Sequence, residues 1–415
     1  MASRIRVLDA TNRTMQRLGF LKVLCRLVAD VETSNLETLG KRLIDRVLKR
    51  VRVSPPFDGD LQSYVRNRLT DGTYRDLRKA VLETGNGPVS MEIQDLYLAD
   101  QGLPSRTGKL VEANRRRYPY LGTSIGLVKK GTYSALTRAV VLLALTPGEE
   151  LEAFKEFDPV HNPFRVAEAQ AVVLLYSFID NDAEVLFPFF GKLLNAPEGP
   201  FDERTAGLLL PDILEQLIKS RRGQSLTPEE RDRLALLTKT TANIAKWKKR
   251  AYTGGSALQE AVTVRLEPYC DLGLLTKPNP DRFEWQTTDG LRTLWENWGS
   301  LADTDRFLGE RYFATFAAAR GIAAEQASDD EATAALAAAG QDLKSSLGYS
   351  PITDVGLLAG ARLLTEEHRI LELSRTTRLL KSLQKQDPEF VRFTVDRMGQ
   401  MAFVKFLKPA PVYQP

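Results

Sequence analysis

The residues that could do chemistry are few. GTSIG (Gly122–Gly126) has the G-x-S-x-G spacing of a nucleophile elbow, which would make Ser124 an acyl-transfer nucleophile. An elbow needs a buried strand before the serine and a helix after it. Here RRRYPY precedes the motif and a Lys-Lys-Gly turn follows. Such a serine also needs a base, and the only histidines are His161 and His368, neither beside an evident acid. GLVKKGTY (Gly126–Tyr133) has the glycine spacing of a phosphate loop, but Thr132 and Tyr133 stand where Lys and Ser/Thr are required. FIDNDAEV gathers Asp180, Asp182 and Glu184, which could hold magnesium, but a polar cluster ending a helix after an apolar run accounts for them. Asp281 and Glu284 resemble the start of a metal-nuclease core, yet Gln286 occupies the position of its lysine. Two cysteines, Cys25 and Cys270, with two histidines are too few for structural zinc, and both thiols read as buried in a reducing compartment. The expectation is a protein that is not an enzyme, with no catalytic residues, no metal site, no cofactor and no small-molecule substrate.

What the sequence does supply is cations at helical spacing. A helix from Ser105, which caps it after Pro104, to about Tyr118 offers Arg106, Lys109, Asn114, Arg115, Arg116 and Arg117 on its polar side. Lys129 and Lys130 follow in a turn. Lys248, Lys249 and Arg250 form a second cluster within KWKKRAY. Arg375, Arg378, Lys381 and Lys385 lie at helical spacing with Leu379, Leu380 and Leu383 on the other side. Guanidinium forks clamp phosphates or read guanine edges, and lysines reach the backbone. The charge is polarised. Residues 1–135 hold 24 Lys and Arg against 14 Asp and Glu, a net of +10, whereas residues 136–415 hold 33 against 39, a net of −6. A basic part joined to an acidic part points to a polyanion partner for the first.

These side chains must be positioned by a chain of 415 residues, too long for one core. Hydrophobic content of 43% and charged content of 27% are globular values. The longest apolar stretch, Ala139 to Leu145, cannot cross a bilayer, and MASRIRVLDATNR has no apolar leader core, so a cytoplasmic protein without a membrane partner is expected. Apolar periodicity places Leu36, Leu39, Leu43, Val47 and Val51 on one helix face, and SPPFDG ends that helix. AVVLLYSFI (Ala171–Ile179) reads as a buried packing helix, NAPEGPF (Asn195–Phe201) as a boundary loop, and SLTPEE and SDDE as helix starts.

Two segments repeat one pattern. YLGTSIGLVKKGTYSALTRAVVLL (Tyr120–Leu143) and YCDLGLLTKPNPDRFEWQTTDGLRTLW (Tyr269–Trp295) each contain a helix end, a glycine, an apolar strand, a polar turn, an aromatic strand and a threonine leading into a helix. The hairpin tips fall at Lys129–Gly131 and at Lys277–Asp281. Phe390–Asp396 and Gln400–Leu407 make a third candidate hairpin after the basic helix of residues 375–386. The pattern DLGLL…FEWQTTDGLRTLW resembles the wing of winged helix-turn-helix domains. That resemblance implies that the helix before each wing enters the DNA major groove.

The fold expected is mainly α and multi-domain, with two or three winged helix-turn-helix modules and small β-hairpin wings joined by helical segments. The domains are a basic helical part (1–86), a first module (87–145), a helical packing segment (146–200), a second module (201–299), an Ala-rich helical segment (300–350) and a helix plus hairpin (351–415). The function expected is non-catalytic binding of double-stranded DNA within a larger bacterial DNA-handling, regulatory or genome-defence system, with a protein partner or a homodimer. The alternative is a winged-helix adaptor that binds partner proteins of a chromosome-organising or defence complex. The first module is expected to meet DNA. The second, whose helix Ser256–Glu267 is nearly neutral, is expected to be partly structural.

Overall fold

The computed structural model describes residues 5–8, 18, 25, 125–129, 132–133, 135–143, 166–196, 199–228, part of 230–241, 262, 265–278, 284–395 and 401–408. These residues are mainly helical, with short strands. Among them no helix is long and apolar enough to cross a membrane.

The first strands, β1 (Val128–Lys129) and β2 (Thr132–Tyr133), form an antiparallel hairpin with Lys129 opposite Thr132. Gly126, with φ of 80°, makes the left-handed turn into it, a conformation glycine adopts without steric cost. Helix α1 (Ala135–Leu142) follows, and the Thr137 hydroxyl donates back to the Leu127 carbonyl.

Helix α2 (Glu168–Leu194) is the central element. Its side chains are apolar around most of the circumference, so it must be enclosed, and residues from Ala171 to Leu193 are largely buried. The expected packing helix is therefore present, but the carboxylates after it do not end it. The backbone leaves helical geometry only at Asp182 (φ −131°, ψ 15°) and then resumes. Pro188, further along, has no N–H to donate to the Glu184 carbonyl. The freed Glu184 N–H is taken by the Arg6 carbonyl at 3.2 Å, so residues 5–8 dock where the helix is broken.

After α2 come β3 (Phe201–Asp202), α3 (Glu203–Arg221), α4 (Glu267–Asp271), β4 (Leu275–Thr276) and β5 (Glu284–Thr287). The three strands form an antiparallel sheet in the order β3-β5-β4. Phe201 was expected in a loop; instead it pairs with Trp285, and the two rings stack at 6.5 Å between centroids. Helix α5 (Asp289–Trp298) is capped by Thr288, whose hydroxyl accepts from the Leu291 N–H at 3.2 Å. Helices α6 (Thr304–Glu310) and α7 (Tyr312–Arg320) continue the layer over α2.

The last unit begins with β6 (Glu325–Gln326) and α8 (Asp329–Asp342), opened by the Ser328–Glu331 capping box that SDDE signals. Then come β7 (Ser350–Pro351), α9 (Ile352–Glu366), β8 (Arg369–Ile370), α10 (Leu373–Gln386), β9 (Val391–Val395) and β10 (Met401–Phe406). β6 and β8 pair in parallel. The other three strands form an antiparallel sheet in the order β7-β10-β9. Helix α9 packs against α2 and joins this unit to the rest of the core.

Candidate nucleic-acid interface

Helix α10 carries the described part of the basic surface. Its sequence, LSRTTRLLKSLQKQ, has four cations and no acid. Thr376 and Leu380 are buried against the helices beneath, while Arg378, Lys381 and Lys385 are exposed. At 3.6 residues per turn these three fall within an arc of about 60°. None of them has an ion-pair or hydrogen-bond partner among the described residues. Arg375, expected with them, is employed differently. It donates to the Ala327 carbonyl and to Asp329, each at 2.5 Å, and ties α10 to the start of α8.

The outer end of α10 is also fixed from below. Glu372, just before the helix, turns its carboxylate toward α7 and accepts from the Phe313 N–H at 3.2 Å and the Ala314 N–H at 2.9 Å. Burial pushes its carboxyl up to about 7, against the pull of these N–H donors. Leu379 and Leu383 complete the packed side. The hairpin β9–β10 follows directly, with Lys405 opposite Arg392.

The other expected contacts are placed as follows. Arg106, Lys109, Asn114, Arg115, Arg116, Arg117, Lys130, Lys248, Lys249 and Arg250 lie outside the described residues, as do Ser124 and Asp281. The backbone of Lys129 lies in β1. Lys277, expected at the tip of the second hairpin, directly follows β4. Lys277 is inside, 3.1 Å from Glu267 with both side chains almost fully buried, and it sits 5.5 Å over the Trp285 ring. A buried ammonium must be paired, and here a carboxylate and an indole pair it.

The carboxylates of FIDNDAEV are bound up within the chain. Asp182 accepts from Arg265 Nε at 2.8 Å and from the Leu8 N–H at 2.8 Å. Glu184 pairs with Arg221 and accepts from the Arg6 N–H at 2.6 Å. Arg6 lies 3.5 Å from Asp180 and 2.5 Å from Asp305. Each carboxylate thus faces a guanidinium, which does the neutralising that a cation would otherwise do. Among the described residues no group of three or more His, Cys, Asp or Glu is arranged to hold a metal ion.

Sequence reasoning missed β3, β7 and the closing of the Lys277–Glu267 pair. The two strands are two residues long, too short to show a period-2 pattern. The ion pair spans ten residues across a turn, with no local signature. Comparison with protein-family models, curated proteins and solved structures finds no match to this chain.

Proposed function

We propose that the protein is a duplex-DNA-binding protein of the winged-helix kind, without chemistry of its own, and that α10 is a helix that meets the DNA. The observation that carries this reading is the row Arg378, Lys381 and Lys385, exposed and without an ion-pair partner among the described residues, on a helix whose other side is packed. Its setting supports the reading. Along the chain run α8, β7, α9, β8, α10, β9 and β10, with three of the strands in the order β7-β10-β9, and a helix leading into a hairpin is the succession that a winged-helix reading calls for. Helix α4 is likewise followed by two strands, β4 and β5, in a sheet of the order β3-β5-β4. Beside this second sheet Lys277 is held by Glu267, which favours a structural or protein-binding role for its hairpin. The basic stretch with Arg115, Arg116 and Arg117 and the Lys129–Lys130 wing would supply further phosphate contacts.

The test is a titration of random-sequence duplex at several salt concentrations. Each lost phosphate contact lowers the slope of log K against log salt by about 0.9. Replacing Arg378, Lys381 and Lys385 together with Ala should therefore flatten the slope by up to about three units and weaken binding to all sequences alike. The same replacement of Arg115, Arg116 and Arg117 measures the first module. If neither triple variant changes the slope, the adaptor reading takes its place.

A further inference from the structure

The outer face of the β7-β10-β9 sheet carries a second set of groups that duplex binding by α10 does not use. In β10, Val404 and Phe406 are buried, so Phe403 and Lys405 share the opposite face. The strand register places Arg392 opposite Lys405, and Thr394 and Pro351 on either side of Phe403. Two cations directly opposite each other on one face repel. No carboxylate among the described residues relieves them. Lys405 Nζ meets the Leu347 carbonyl at 3.3 Å and lies 5.4 Å from the Tyr349 ring centre, and neither contact neutralises it. Beside them Phe403 is 44% exposed.

We propose that this face binds single-stranded nucleic acid, with a base stacked on Phe403 and phosphates held by Arg392 and Lys405. Two facing cations with no carboxylate beside them among the described residues call for an anion. The ring argues for one with flat, apolar faces, because an acidic polypeptide would satisfy the two charges and leave Phe403 in water. Phe403 stands exposed between Thr394 and Pro351 on the neighbouring strands, where a planar base can reach it. Stacking with phosphate clamping is tolerant of sequence, since every base has a π-face. This site is distinct from the exposed row on α10, and the proposal does not depend on duplex binding.

The experiment uses the full chain and a fluorescent oligothymidylate of about twenty nucleotides, with a random duplex measured in parallel by anisotropy. The wild type should bind the oligothymidylate. Phe403→Ala and Arg392→Ala should each weaken that binding roughly tenfold, and Phe403→Tyr should retain most of it. Duplex affinity should stay within about twofold in all three variants, and circular dichroism should show them folded. The triple Ala variant of Arg378, Lys381 and Lys385 should show the reverse selectivity. No binding of the oligothymidylate by the wild type, or unchanged binding in Phe403→Ala, overturns the proposal. So does a polyglutamate peptide that binds this face in its place, or a dimer that Phe403→Ala dissociates in sedimentation. Because duplex binding is read separately, such a failure leaves the α10 reading standing.

Discussion

Glu372 shows how one side chain couples the basic helix to the core. Its carboxylate accepts N–H groups from the first turn of α7 while its backbone opens α10. The folded protein holds this carboxyl at about 7, raised from 4.5 by burial. A raised carboxylate adds stability that is complete below pH 4.5 and is lost as pH rises through 7. Across that interval the loss is about 3 kcal/mol. Glu372→Gln keeps an acceptor and does not titrate. Denaturation curves at several pH values should therefore show the variant gaining on the wild type by about that amount between pH 4.5 and 8. A pH-independent difference would sink the argument.

Gly360 is a second residue with a single physical reason. A Cβ at this position of α9 would lie 2.4 Å from the Phe313 ring. Gly360→Ala ought to improve an isolated helix by about 1 kcal/mol. In this setting the overpacking penalty of about 1–3 kcal/mol should match or exceed that gain, so the chemical-denaturation midpoint should not rise. A more stable Ala variant would mean that Phe313 moves aside freely.

At the scale of elements, the break in α2 is held by charge. Asp182 and Arg265 form a two-toothed ion pair with both side chains almost completely buried. Such a pair is costly to assemble and more costly to break on one side, because the surviving ion has no water to return to. Asp182→Ala should cost about 3–5 kcal/mol, measured by urea unfolding. Arg265→Met combined with Asp182→Leu should recover much of the loss, since neither residue then strands a charge. If the double variant is as unstable as the single one, the pair is doing something other than neutralising itself.

Across the whole molecule, residues 5–8 join parts of the chain that are far apart in sequence. Ile5 and Leu8 are buried, Arg6 reaches Asp180 and Asp305, and backbone groups of Arg6 and Leu8 bond to the irregular turn of α2. Removing residues 1–8 would expose the ends of Asp182 and Glu184 that these backbone groups now satisfy. The Tm should fall by about 2 °C or more, which corresponds to roughly 2 kcal/mol for a chain of 415 residues. An unchanged Tm would show that this segment rests on the surface without supporting it.

The sequence alone was enough for features whose cause is local. The Ser328–Glu331 cap, the left-handed glycines at 126 and 273, the enclosed helix around Ala171–Ile179 and the amphipathic basic helix at residues 373–386 each follow from neighbours within a turn or two. Which cations remained free was not local. Arg375, Arg378, Lys381 and Lys385 look alike in sequence, yet Arg375 is spent on Asp329 while the other three are exposed, because only packing brings the start of α8 within reach of one of them. Lys277 likewise reads as a turn residue until β4 carries it onto Glu267 and Trp285. The two-residue strands β3 and β7 exist only because a hairpin far along the chain offers them an open edge. A charged side chain bears its charge in any fold, but whether that charge is available to a ligand depends on which opposite charge the tertiary structure brings within about 4 Å of it.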